Sequence, residues 1–225
     1  NKPILKLKEV IDAGGFGDIF MCSIRVRWCR KQSYYDQDAW RGTWKLDGGV
    51  LANQAIHHID MMQWLCGPID EVFAKGDSFM SKIEAEDTAV AVLRFSSGAL
   101  GLIEATTAVR PKDIEGSISV LGSCGTAVVG GFAMNKIEAW QFENQDLNDD
   151  EVIESYSENP PNVYGFGHIK YYEHVYSCIK NNGNNLIDGL EGKKSLQILT
   201  ALYESIASKQ PIQLRPLSNK TLLGK

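Results

Sequence analysis

Six short segments between residues 71 and 142, rich in branched and aromatic side chains, constrain this chain more than any other feature, because they commit it to a sheet. They are residues 71–79, 88–95, 99–107, 116–121, 126–129 and 136–142. A Ser97-Gly98 turn joins the second to the third, and Gly122 with Gly125 joins the fourth to the fifth, so both pairs read as hairpins. An earlier segment, 19–30, alternates Ile24, Val26 and Trp28 with Arg25 and Arg27 and reads as another strand. Helical patterns flank the strands: 6–12, ended by Gly14, Gly15 and Gly17; a second running to about Leu65 and closed by Gly67-Pro68; then 168–180 and 189–208. Residues 32–46 read as a structured aromatic loop, and 144–161, acidic and turn-rich, as a surface excursion. The pattern predicts an α+β fold, with one large, mainly antiparallel open-faced sheet and helices packed on one face. An apolar second face would need a cover, for which a partner subunit is expected.

Bulk properties narrow the classes. A chain of 225 residues with 44% hydrophobic and 23% charged residues can build one sizeable core, and it is read as a single domain over 1–225. A net charge of −5 and scattered basic residues leave nucleic acid little to hold, and no apolar run nears the ~20 residues needed to span a bilayer. Neither nucleic acid nor membrane is an expected partner. Five dispersed cysteines form no Cys-x-x-Cys pair, which suggests neither a disulfide framework nor zinc and fits a reducing cytoplasm. The chain starts at Asn1, and Pro3 soon opens a helix-like run, so it is read as entered partway along a longer protein.

The chemistry concentrates in Gly48-Gly49-Val50-Leu51-Ala52-Asn53-Gln54-Ala55-Ile56-His57-His58-Ile59-Asp60. Here a glycine-loosened turn feeds a helix whose apolar side is Leu51, Ala55, Ile59, Met62 and Leu65. Asn53 and His57, four apart, share one face; Gln54 and His58 form a second pair about 100° round the helix. His57 is the expected catalytic residue, since an imidazole that titrates near neutrality can take a proton from a hydroxyl. His58 is assigned to structure. Asp60 either orients an imidazole or ties down a neighbouring loop, the latter being favoured. In Trp40-Arg41-Gly42-Thr43-Trp44, Arg41 is read as a contact for carboxylate or phosphate, whereas Trp44 serves equally well as a pin to the core.

Other features resolve into structural readings. Gly14-Gly15-Phe16-Gly17 lies between a helix and a strand, the reverse of the order a dinucleotide fingerprint needs, and is read as helix termination. Glu104 and the Glu84-Ala85-Glu86-Asp87 cluster match no metal-ligand spacing, so no metal is expected, and Asp87 is read as a loop cap. His168 and His174 accompany the first late helix; for His168, capping is favoured over a pocket role.

Taken together, these residues resemble the C-terminal domain of the glucose–fructose oxidoreductase/inositol dehydrogenase (Gfo/Idh/MocA) family of nicotinamide-dependent sugar oxidoreductases. The resemblance rests on Gly48-Gly49, Leu51, Asn53, His57 and Asp60, and on Glu86-Asp87-Thr88, Phe95 with Gly98-Ala99-Leu100-Gly101, and Gly122 with Gly125-Thr126. Late in the chain it continues with Gly167-His168, Asp188-Gly189, Glu191-Gly192 and Tyr203-Glu204-Ser205. Most members carry Asp where Asn53 stands. Asn53-Gln54 with Trp40-Arg41-Gly42-Thr43-Trp44 is similar to the branch that oxidises UDP-N-acetylglucosaminuronic acid at the sugar 3-hydroxyl on the way to bacterial surface polysaccharides. The resemblance implies NAD, held mainly by an N-terminal Rossmann domain that also supplies a catalytic lysine, neither of which is in these residues. It implies His57 as catalytic residue, Asn53, Gln54 and Arg41 as sugar or sugar-nucleotide contacts, Trp40 and Arg41 beside the cofactor, and a homodimer or homotetramer built through the sheet. A sugar-nucleotide binding module without catalysis is the alternative.

Overall fold

The computed structural model describes residues 1–131, 134–143, 149–159, 167–183, 185, 187–214 and 223–224. Eight strands form its sheet: β1 Ile19–Arg27, β2 Ile69–Asp77, β3 Thr88–Phe95, β4 Leu100–Thr106, β5 Glu115–Gly122, β6 Gly125–Gly130, β7 Lys136–Phe142 and β8 Ile212–Gln213. Their order is β7-β6-β5-β1-β4-β3-β2-β8. All the neighbouring pairs are antiparallel except β1 with β4, whose register runs from Met21 beside Leu100 to Arg27 beside Thr106. The two glycine-turn hairpins are present as β3–β4 and β5–β6. The expected strand 19–30 ends at Arg27, yet its last residues stay beside the sheet: the Trp28 and Arg30 amides donate to the Thr106 and Thr107 carbonyls.

Helices α1 Lys2–Asp12, α3 Ile56–Cys66, α4 Asp149–Tyr156 and α6 Gly189–Ser208 cover one face, α3 lying on β1 and β5 and α6 on β2. α2 is a single turn, Gln32–Tyr35, within the loop after β1, and α5 spans Gly167–Asn181. Strand side chains alternate accordingly. Ala89, Ala91, Leu93 and Phe95 of β3 are buried under the helices, while Val90 and Val92 on the other face are about half exposed, as is Leu100 of β4. Arg27 crosses that open face to bond Glu104 with both nitrogens of its fork (2.5 and 2.8 Å) and reaches Glu115 at 3.2 Å. Glu104 is therefore half of an ion pair, and Arg27 holds its carboxyl below the usual range.

Two expectations are corrected. The excursion 144–161 contains α4, which packs on β7 and buries Val152. Its acidic residues Asp149, Asp150 and Glu151 occupy the first helical turn, where the helix dipole favours negative charge; of the rest, 144–148 and 160–161 lie outside the described residues. The second correction concerns the signature segment. One regular helix was expected to carry Asn53 and His57, but Val50–Gln54 forms a π turn and α3 begins only at Ile56. The Ala55 amide bonds back five residues to the Val50 carbonyl at 2.8 Å. The expected apolar side still points inward, with Leu51, Ala55, Ile59, Met62 and Leu65 all buried. Among the described residues, no helix is long and apolar enough to cross a membrane.

Candidate active site

The π turn contacts β3 and β4, and the first turn of α3 stands beside the C-terminal end of β1, where His58 meets Trp28. His57, on the outward side of α3, is exposed and opens onto a cleft of about 1840 Å³. Trp28, Arg30, Asp60 and Asp113 share its walls. An imidazole so placed is open to a ligand in the cleft.

Beside the cleft lies a continuous polar network. Asn53 donates to Asp47, and Tyr34 donates its hydroxyl to the Asn53 oxygen at 3.4 Å. Gln54 donates to both Asn53 and the Tyr34 oxygen, and its own oxygen accepts from Arg30 at 3.1 Å. Gln54 is buried, so its two ends are committed to Arg30 and to the Asn53–Tyr34 pair. Arg41 joins from the other side: its guanidinium lies 4.2 Å from the Tyr34 ring centre and 4.7 Å from that of Trp40, with Nε donating to Asp38 at 2.9 Å. Trp40 remains 39% exposed, which leaves indole surface for a flat ligand.

The residues singled out from sequence therefore fall into two adjoining groups. Asn53, Gln54, Arg41 and Trp40 meet through Tyr34, whereas His57 faces the cleft. Arg30 belongs to both, since it lines the cleft, holds Gln54 and pairs with Asp113 at 3.2 Å. Sequence reasoning did not single out Arg30, Tyr34 or Asp47, and no local signal marks them: they lie six to twenty-four residues away from the amides they hold.

The remaining candidates have structural contacts. Asp60 shares a hydrogen bond with Ser195 of α6, and burial raises its carboxyl above the usual range. Asp87 accepts the amides of Phe79, Met80 and Ser81, capping that loop. Trp44 packs edge-on against Tyr203 at 5.2 Å. His168 stands at the start of α5 on the rim of the cleft.

His58 is buried edge-on against Trp28, with neither ring nitrogen hydrogen-bonded among the described residues. Burial, helped by the neighbouring His57, pushes its pKa down to about 4. A lowered histidine pKa means that the folded state holds the neutral ring, so this contribution is complete above pH ~6.5 and is lost as pH falls through about 4. Between pH 7 and 4 the protein should lose on the order of 3 kcal/mol relative to a His58→Leu variant. Urea unfolding of the two proteins across that range is the check, and parallel pH profiles would refute the assignment.

Comparison with known proteins agrees with this architecture. The family model described as "Oxidoreductase family, C-terminal alpha/beta domain" (GFO_IDH_MocA_C) matches residues 8–214. Myo-inositol 2-dehydrogenase of Thermotoga maritima is 30% identical over 185 residues, covering 76% of this chain and 50% of the relative. Among solved structures, the WlbA dehydrogenase of Bordetella pertussis, in complex with NADH and UDP-GlcNAcA, is 43% identical with a TM-score of 0.89 over 96% of this chain and 62% of that one. WlbA of Chromobacterium violaceum, with the same two ligands, is 38% identical with a TM-score of 0.88, covering 97% and 61%. The chain thus spans about half the length of the curated relative and about three fifths of these structures. It belongs to the Gfo/Idh/MocA oxidoreductase family, as the C-terminal α/β domain of that family.

Proposed function

We propose that this chain is the substrate-binding half of an NAD-dependent dehydrogenase acting on a sugar nucleotide of the UDP-N-acetylglucosaminuronate type, at its 3-hydroxyl. The observation that carries the reading is the exposed imidazole of His57 on an open cleft, beside the Arg30–Gln54–Asn53 network. Oxidation of a ring CH–OH breaks two bonds. The carbon's hydride passes to bound NAD, and the hydroxyl proton passes to His57, leaving a ketone. Asn53 meets hydroxyls of the sugar, and Gln54, read from the sequence as a second contact, is buried and instead holds Asn53 and Arg30 in place beside them; neither sets a fixed negative charge of its own against an anionic substrate. Arg41, stacked between two rings, answers a carboxylate or phosphate. The chain covers about three fifths of the NADH-bound WlbA structures, and, as the resemblance implies, the dinucleotide is assigned mainly to a further domain, which also contributes a lysine to the site. Trp40 and Arg41 fit as this chain's lip against it, one an exposed flat ring and the other a cation. The two WlbA structures that contain NADH and UDP-GlcNAcA support the substrate and the cofactor alike. The half-exposed Val90, Val92 and Leu100 support pairing of subunits through the open face, as a homodimer or homotetramer. The setting proposed is the cytoplasm.

By this reading the 225 residues alone are catalytically silent. Nicotinamide reduction followed with the fragment and with the full-length protein should show turnover only in the latter, and turnover by the fragment would refute the division of labour. A thermal-shift panel of UDP-sugars on the full-length protein should single out UDP-hexuronates, because a ligand bound only by the folded state raises its apparent stability.

A further inference from the structure

The turn that carries Asn53 and Gln54 lacks a local cap: Gly49 precedes it and has no side chain to offer. Its first amides are instead held from far away in sequence. The Val50 amide donates to the Glu86 carbonyl at 2.8 Å, and the Leu51 amide to Glu86 Oε1 at 3.0 Å. The Gly49 amide donates to the Tyr203 hydroxyl at 3.0 Å, and that hydroxyl donates to the same Oε1 at 3.0 Å. Glu86 and Tyr203 are both buried, and among the described residues Glu86 Oε2 has no hydrogen-bond partner. A buried carboxyl with one unsatisfied oxygen is costly to retain, and its other oxygen is spent on the Leu51 amide and the Tyr203 hydroxyl at the turn. Its bonds run to the entrance of the turn whose far end contacts the ligand in the reading above.

We propose that Glu86 and Tyr203 are positioning residues: together they clamp the entrance of the π turn and so set where Asn53 meets the sugar and where Gln54 holds Arg30, without touching the reacting atoms. The inference rests on the proposed function, which supplies the ligand. Burial pushes the Glu86 pKa up to about 7. The ionisable groups near it are Asp87, next in the chain, and Tyr203 from α6, while β2 and the turn present Gly76 and Gly49. The clamp therefore changes charge near neutrality, and substrate affinity changes with it.

The test is steady-state kinetics of the full-length protein with a UDP-hexuronate, comparing wild type with Tyr203→Phe and Glu86→Gln. Tyr203→Phe should raise KM about tenfold and change kcat less than about threefold, as expected when positioning is lost but the chemical step is kept. Wild type should show a break in KM near pH 7 that Glu86→Gln removes. An unchanged KM in folded Tyr203→Phe, or a wild-type KM that is flat from pH 6 to 8, would overturn the clamp. Because His57 faces the same cleft, a wild-type break counts for the clamp only where Glu86→Gln removes it, and where that variant does not fold the KM of Tyr203→Phe decides. Absence of any UDP-sugar turnover by wild type would instead strike the functional reading itself.

Discussion

Replacing His57 by Asn in the full-length protein should lower kcat by about 10²–10⁴-fold, the range general-base catalysis contributes. The side chain is exposed, so the core around Ile59 and Met62 keeps its packing and the unfolding temperature should stay within a degree or two. Substrate affinity should also survive, because the amides and guanidinium groups proposed to hold the sugar belong to the adjoining network and not to the imidazole. A large fall in kcat with KM nearly constant would separate a proton acceptor from a binding group. A variant of near-normal rate would return His57 to an ordinary surface position.

Gly49→Ala should be the most damaging single-atom change to the fold near the site. A Cβ there would sit 2.1 Å from Glu86 Oε2 and 2.2 Å from the Glu86 carbonyl oxygen, and the second contact is with backbone that cannot rotate away. Either the β3 entrance or the π turn must shift, and overpacking of this kind costs about 3 kcal/mol. For a domain of this size that corresponds to a fall of about 6–12 °C in Tm. Differential scanning calorimetry checks it, and a fall of less than about 2 °C would mean that the turn has slack that the geometry denies. Such a shift also displaces Asn53 and Gln54, so KM should rise in any fraction that stays folded.

Much of the fold was legible because its signals are local. Ser97-Gly98 and Gly122 with Gly125 announce two hairpins through turn chemistry, and Leu51, Ala55, Ile59, Met62 and Leu65 announce a buried helical face. The insertion of β1 between β4 and β5 was not legible, since strand order is settled by contacts some eighty to one hundred residues apart. α4 was missed because Asp149, Asp150 and Glu151 look like turn residues, although acids in a first turn are also a helix-start signal. The π turn was hidden because the apolar spacing around it is that of an ordinary helix. What distinguishes the turn is the grip of Glu86 and Tyr203, thirty-five and about one hundred and fifty residues further along the chain. The same holds for the site. His57, Asn53 and Gln54 share a short segment and could be read together, whereas Arg30 and Tyr34 reach that segment only through the fold.

The most direct measurement is absorbance of reduced nicotinamide when the full-length protein is mixed with NAD and a panel of UDP-hexuronates, run beside the His57→Asn variant. Steady turnover with at least one UDP-hexuronate, and its near-complete loss in the variant, is the expected result. Tight binding of a UDP-sugar with no nicotinamide reduction by the wild-type protein would contradict it and leave a binding module in its place.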